Sequence, residues 1–111
     1  MTPGARTPEE LETLLEDAFL LRDPNGLGQL FESGAVLVAG GGLQEARGRE
    51  EIAGVAARVW ELGRTYVADP RHILQAGDTA LILAGGAINV ARRGEDHGWR
   101  YAIAVLDSKA T

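Results

Sequence analysis

Apolar positions along the chain follow two different periods. Leu11, Leu14, Leu15, Ala18 and Phe19 recur at helical spacing and form one stripe, which Leu20 and Leu21 widen. Thr7-Pro8-Glu9-Glu10 stands in front of that stripe as a helix start. Thr7 can cap, Pro8 suits the first helical position and Glu10 completes a capping box. Asp23-Pro24 stops this helix and opens a short second one through Leu30 and Phe31, weakened by Gly26 and Gly28. Ser33-Gly34 reads as a break, Ala35 to Ala39 as a short apolar strand, Gly40-Gly41-Gly42 as a turn, and Leu43 to Arg47 as the returning strand. Arg49-Glu50-Glu51 opens a third helix, with its acids near the positive end of the helix dipole. Ile52, Val55, Ala56, Val59, Trp60 and Leu62 supply its apolar face, and Gly63 ends it.

From Arg64 onward the period changes to that of strands. Pro70 interrupts a strand running from Thr65 to Ala76 and marks an edge or a bulge, because proline cannot donate to a ladder. Gly77-Asp78 is a tight turn. Thr79 to Ala84 and Ala87 to Arg93 flank Gly85-Gly86. That pair is expected to make a hairpin turn with both residues at positive φ, the alternative being one continuous strand with a glycine bulge. A polar turn, Gly-Glu-Asp-His-Gly, precedes the last strand, which ends near Asp107. The predicted order is α-α-β-β-α-β-β-β-β. It places the chain in the α+β class, with helices packed on one face of a curved, mostly antiparallel sheet. Residues 1–6 read as a loose tail and 7–111 as a single domain.

The strand faces carry a further expectation. A half-wet antiparallel strand alternates apolar and polar residues, yet Ala80 to Ala84 is apolar throughout and Tyr101 to Leu106 nearly so. Strict alternation puts Trp99, Tyr101, Ile103 and Val105 on one face, with Arg100, Ala102, Ala104 and Leu106 on the other. Three helices cover one face only, so the other is expected to be covered by a second copy of the chain in a two-fold homodimer.

Composition narrows the partners. Among 111 residues, 45% are hydrophobic and 24% charged, ordinary for a globular domain of this size. The net charge of −5 and the scattered arginines, with Lys109 the single lysine, leave no basic stripe for nucleic acid. No run approaches a membrane span, and the N-terminus carries no secretory pattern, so a cytoplasmic location is expected. The absence of cysteine excludes disulfides and thiolate chemistry. His72 and His97 have no metal-type spacing, and neither a metal nor another cofactor is expected. Gly40-Gly41-Gly42 and Gly26-x-Gly28 lack the strand, helix and Lys-Ser/Thr context of a phosphate loop.

Several segments together resemble the SnoaL-like branch of the nuclear-transport-factor-2 (NTF2) superfamily, the group that includes the ketosteroid isomerases. They are Leu21-Arg22-Asp23-Pro24, Leu30-Phe31, Ala35-Val36-Leu37-Val38, Arg47-Gly48-Arg49-Glu50-Glu51-Ile52, Leu74 to Leu81 and Gly98-Trp99-Arg100-Tyr101. The resemblance implies a cone-shaped fold with a pocket between the sheet and the first and third helices. Phe19, Val38, Trp60, Tyr66 and Asn89 are the implied lining, suited to a small hydrophobic ligand. Ungapped counting places the isomerase base at Ala39, its tyrosine at Leu15 and its protonated aspartate at Asn89. The base and one donor are therefore absent. The short strands joined by Gly85-Gly86 also depart from the longer strands of relatives, and imply a shallower or more open pocket.

Asn89 stands out between Ile88 and Val90, because asparagine is depleted in strands and a buried amide must find partners. His72 is a candidate acid or base by its near-neutral pKa. Asp69, beside Pro70, is the one strand acid that can face the pocket, and it serves equally well as a mark of the bulge. Two function classes follow. One is a non-catalytic module that binds a small hydrophobic ligand or dimerises. The other is an isomerase, cyclase or hydrolase of a small hydrophobic metabolite, using His72, Asp69 or Asn89.

Overall fold

The computed structural model describes residues 4–39, 44–61, 63 and 69–106. Helix α1 spans Pro8–Leu21 and α2 spans Pro24–Gln29. Strands β1 (Phe31–Ala39) and β2 (Gln44–Arg47) lead into helix α3 (Gly48–Glu61). Strands β3 (Pro70–Ala76), β4 (Thr79–Ala84), β5 (Ala87–Arg93) and β6 (Trp99–Leu106) complete the chain. The element order matches the order predicted from sequence. The glycine turn at 40–42 and residues 65–68, the first third of the strand expected from Thr65, lie outside the described residues.

The helix starts form as the sequence implies. The Thr7 side chain accepts from the Glu10 backbone N–H at 3.0 Å. Glu10 reaches back one residue beyond the usual capping box, accepting from the Arg6 N–H at 2.8 Å. Arg22 ends α1 in the left-handed region at φ 50, and Asp23 caps α2 through the Gly26 N–H at 3.1 Å. Gly48, at φ 83, turns the end of β2 directly into α3, a conformation that a side chain resists.

The six strands form one sheet in the order β2-β1-β6-β5-β4-β3. Every pairing is antiparallel except β1 with β6. The three helices cover one face, giving the α+β cone architecture. The core between the layers holds Leu11, Leu15 and Phe19 from α1, Ile52 and Trp60 from α3, and Phe31, Leu37, Ile82 and Tyr101 from the sheet.

Four local readings are corrected. Strand β1 starts at Phe31, not Ala35; Ser33-Gly34 is absorbed as a register shift between Phe31 and Val36 rather than a break. Leu20 and Leu21 are exposed and do not widen the buried stripe of α1. Gly85-Gly86 does form the two-residue hairpin turn, with Ala84 paired to Ala87, but neither glycine has a positive φ. A Cβ on Gly85 would stand 2.5 Å from Asp69 Oδ2, the end of an exposed side chain that can move aside. Finally, the faces of β6 do not alternate strictly. A register shift on the β5 ladder lets both Tyr101 and Ala102 be buried. Trp99, Tyr101 and Ala104 therefore face the helices, while Ile103 and Val105 turn outward.

Candidate functional site

The inner face of the sheet carries one polar side chain in an apolar row. Asn89 on β5 lies between Ile82 of β4 and Ala104 of β6, with Leu37 of β1 next in line. Its neighbours are buried, and it is itself 0% exposed. An amide so placed must find partners inside the protein. It finds one on α1: Asn89 Nδ2 donates to Glu12 Oε2 at 3.0 Å. The Tyr101 hydroxyl on β6 donates to the same carboxylate oxygen. Glu12 and Tyr101 are likewise 0% exposed, and Tyr101 packs against Phe31 with ring centroids 5.2 Å apart.

A buried carboxylate costs several kcal/mol unless hydrogen bonds replace the lost water. Charge-assisted bonds from an amide and a phenol do this, and they hold the Glu12 head group in one orientation. Helix α1 and strands β5 and β6 each supply one member. The cluster exists only when the helix is docked on the sheet. An oriented carboxylate in apolar surroundings can accept a proton or anchor a donor group.

Farther along the same face, Phe19 of α1 and Trp60 of α3 meet edge to face at 5.9 Å and 78°. Among the described residues, two buried side-chain polar atoms lack a hydrogen-bond partner, Asn89 Oδ1 and Trp60 Nε1. Two polar grooves lie elsewhere, on the surface near Ser33 and Arg49, with volumes of about 820 and 890 Å³. Both are open to solvent. Charged side chains lining the second are engaged, Arg92 with Glu32 and Arg100 with Asp96. Arg49, which borders both, gives its Nε–H to the Phe31 carbonyl. The Arg100 guanidinium, helped by the Gly98 N–H, holds the Asp96 carboxyl well below the usual carboxylate range; Arg100 is raised by its bond to Asp96 and Arg92 by its bond to Glu32. The second groove is a surface ion-pair network; the inner cluster, where buried polar groups converge, is taken as the candidate site.

Among the residues expected at the site, Phe19, Trp60 and Asn89 are buried in the layer between the helices and the sheet. Val38 does not. It pairs with Val105 on the outer face, because β1 buries Leu37 and Ala39 on the inner one. Tyr66 lies outside the described residues. Both remaining catalytic candidates are away from the cluster. His72 is exposed on the edge strand β3, level with Leu83 and Ile88 of the outer face. Asp69 is exposed and paired with Arg71 at 3.2 Å. Glu12 is the residue that sequence reading missed. Its signal was spacing: it stands three before Leu15 and seven before Phe19, on the buried stripe, where a charge needs a partner. Among the described residues there is no metal-type cluster of His, Cys, Asp or Glu and no helix long and apolar enough to cross a membrane.

No protein-family model matches the chain, and no curated protein matches it significantly. Solved structures do. A candidate calcium/calmodulin-dependent protein kinase type II association domain from Thiobacillus denitrificans aligns over 96% of this chain and 98% of its own, at 20% identity and TM-score 0.77. A ketosteroid isomerase-like protein from Erwinia carotovora atroseptica aligns over 89% and 91%, at 17% identity and TM-score 0.72. A candidate dehydratase of the NTF2-like family from Streptomyces avermitilis aligns over 88% and 90%, at 20% identity and TM-score 0.69. The likeness spans nearly the whole chain at low identity, and it is a likeness of fold: the chain has the NTF2-like fold. A fold of this kind hosts unrelated functions, so function has to be argued from the site.

Proposed function

We propose that this chain is a small-molecule-binding module of NTF2-like fold that works as a homodimer. The observation that carries the binding half is the buried Glu12–Asn89–Tyr101 cluster, set in an apolar layer beside Phe19 and Trp60. Apolar walls with a few convergent polar groups are the usual composition of a site for a small hydrophobic ligand. The ketosteroid isomerase base position, Ala39, and tyrosine position, Leu15, are both apolar, which favours binding over that reaction. The dimer half rests on the outer sheet face, where Leu74, Ile88, Ile103 and Val105 are 58%, 52%, 45% and 37% exposed on β3, β5 and β6. An apolar patch of that extent marks an interaction surface, and a second copy of the same face is its simplest cover.

Native mass spectrometry of the purified protein, with a thermal-shift screen of small apolar compounds, tests both halves. The expected result is a dimer mass and stabilisation by members of the screen, with the stabilisation weakened in Tyr101→Phe. A monomer by light scattering at micromolar concentration would remove the dimer half.

A second reading is favoured by one feature, the oriented carboxylate of Glu12. In that reading the protein is an enzyme of the isomerase, cyclase or hydrolase type, acting on a small hydrophobic metabolite with Glu12 as proton acceptor. Loss of turnover in Glu12→Gln, with ligand affinity retained, would establish it. Undiminished turnover in that variant would end it.

A further inference from the structure

We infer that the inner site selects a hydrophobic ligand that carries a hydrogen-bond donor, a hydroxyl or an amide N–H, and places it on Asn89 Oδ1. This inference rests on the binding reading above and names the ligand chemistry.

The polarity of Asn89 follows from its partner. The amide turns its NH₂ toward Glu12, with Nδ2 donating to Oε2 at 3.0 Å. Its carbonyl oxygen is then committed to the other side of the amide, and it is both buried and without a partner. An acceptor buried in this way calls for a donor.

The chain directions indicate where that donor sits. Ala5 pairs with Trp99 at the start of β6, and α1 runs from there past Glu12 to Phe19. Tyr101 is level with Phe31, and Leu106 is level with Ala39. Arg49, near the start of α3, bonds the Phe31 carbonyl, so Trp60 lies toward the Ala39–Leu106 end. The Glu12–Tyr101 contact therefore occupies one end of the inner layer and the Phe19–Trp60 pair the other. Asn89 stands between them, with one N–H of its amide given to the first. The unpartnered indole N–H of Trp60 adds a donor at the second end. A ligand that fits both atoms donates to Asn89 and accepts from Trp60. A hydroxyl or an amide has both capacities.

This polarity is opposite to that of an oxyanion site. A carboxylate or enolate would meet the Asn89 carbonyl oxygen, whose negative end repels negative charge. Position 89, which the family resemblance would make an oxyanion donor, here has one N–H engaged by Glu12 and a buried acceptor oxygen left without a partner among the described residues.

Phenol, anisole and benzoate separate these possibilities, since they share one ring and differ in donor and charge. Binding is followed by the indole N–H resonance of Trp60, assigned by its loss in Trp60→Phe. Phenol is expected to bind at least about tenfold more tightly than anisole, the scale of one buried hydrogen bond, and benzoate not to bind. In Asn89→Leu, phenol and anisole should bind equally. If anisole matches phenol in the wild type, or if the preference survives Asn89→Leu, the donor requirement is overturned while the binding reading stands. If none of the three probes moves the resonance, both are overturned. Should Asn89→Leu fail to fold, the wild-type ratio decides alone.

Discussion

The two faces of the one sheet differ in what they do with the same kind of residue. On the inner face, Ile82, Ala91, Ala104 and Tyr101 are buried beneath the helices. Their packing is completed within a single chain. On the outer face, Val36, Ile103, Val90, Leu81 and Leu74 line up across five adjoining strands, and Val38, Val105, Ile88 and Leu83 form a second row beside them. These side chains are as apolar as their inner counterparts, yet several remain substantially exposed. The inner face also accommodates a carboxylate, an amide and a phenol, each bonded to another. The comparison teaches that polarity alone does not sort the faces of this sheet. What sorts them is which face the helices reach, and the polar groups are tolerated where they find one another.

The largest expected effect comes from cutting into the inner face. Ile82→Ala should destabilise the fold by about 2 to 5 kcal/mol, the usual range for a large-to-small change in a packed core. Ile88→Ala on the outer face should change the stability of a single chain by about 0.5 kcal/mol or less. Urea unfolding of the two variants at a concentration low enough to keep the chains apart makes the comparison. Equal losses would mean that the outer face is packed within the monomer.

Tyr101→Phe is next in size. It removes the phenol from Glu12 and keeps the ring against Phe31, so about 1 to 3 kcal/mol should be lost, the penalty of an incompletely satisfied buried acceptor. A cost near zero would mean that Glu12 is satisfied without it.

Ile103→Lys sharpens the outer half of the comparison. It should leave the unfolding midpoint of the single chain within about 1 kcal/mol of the wild type, while shifting the light-scattering mass from dimer to monomer. His72→Ala and Asp69→Ala should leave phenol binding unchanged, because both residues are exposed and away from the cluster.

The smallest effect concerns the surface. Asp96 has its pKa lowered chiefly by the Arg100 hydrogen bond. A depressed carboxylate adds stability above its unfolded pKa, about 4, and the contribution fades as pH falls toward the folded value. Urea midpoints of wild type and Asp96→Asn should therefore differ slightly at pH 7 and converge toward pH 2. A gap that widens on acidification would reverse this assignment.

Much of the architecture was legible because it rests on local signals. Thr7-Pro8, Asp23-Pro24, Gly77-Asp78 and Gly85-Gly86 act on their immediate neighbours, and each marks the helix start or turn read from it, although Gly85-Gly86 turns without a positive φ. Asn89 was legible for a similar reason: an amide amid β-branched residues is anomalous wherever the strand lies. Val38 and the face of Ile103 were misread because both depend on register. One register shift in β6 reverses every later side chain, and no residue type announces it. Glu12 was missed because a glutamate at the edge of a helical stripe usually snorkels into water. Its burial is decided by a tyrosine 89 residues away and an asparagine 77 residues away.

The amino-acid sequence by itself determined the elements, their order, the α+β class and the apolar character of both sheet faces. Period, caps and turn residues act over a few residues and need no partner to be read. Only the tertiary structure decided that Glu12, Asn89 and Tyr101 form one buried cluster, that His72 and Asp69 stand outside it, and that Asn89 keeps a buried oxygen without a partner among the described residues. Those outcomes depend on which distant groups meet in a space closed to water, where each donor must find an acceptor.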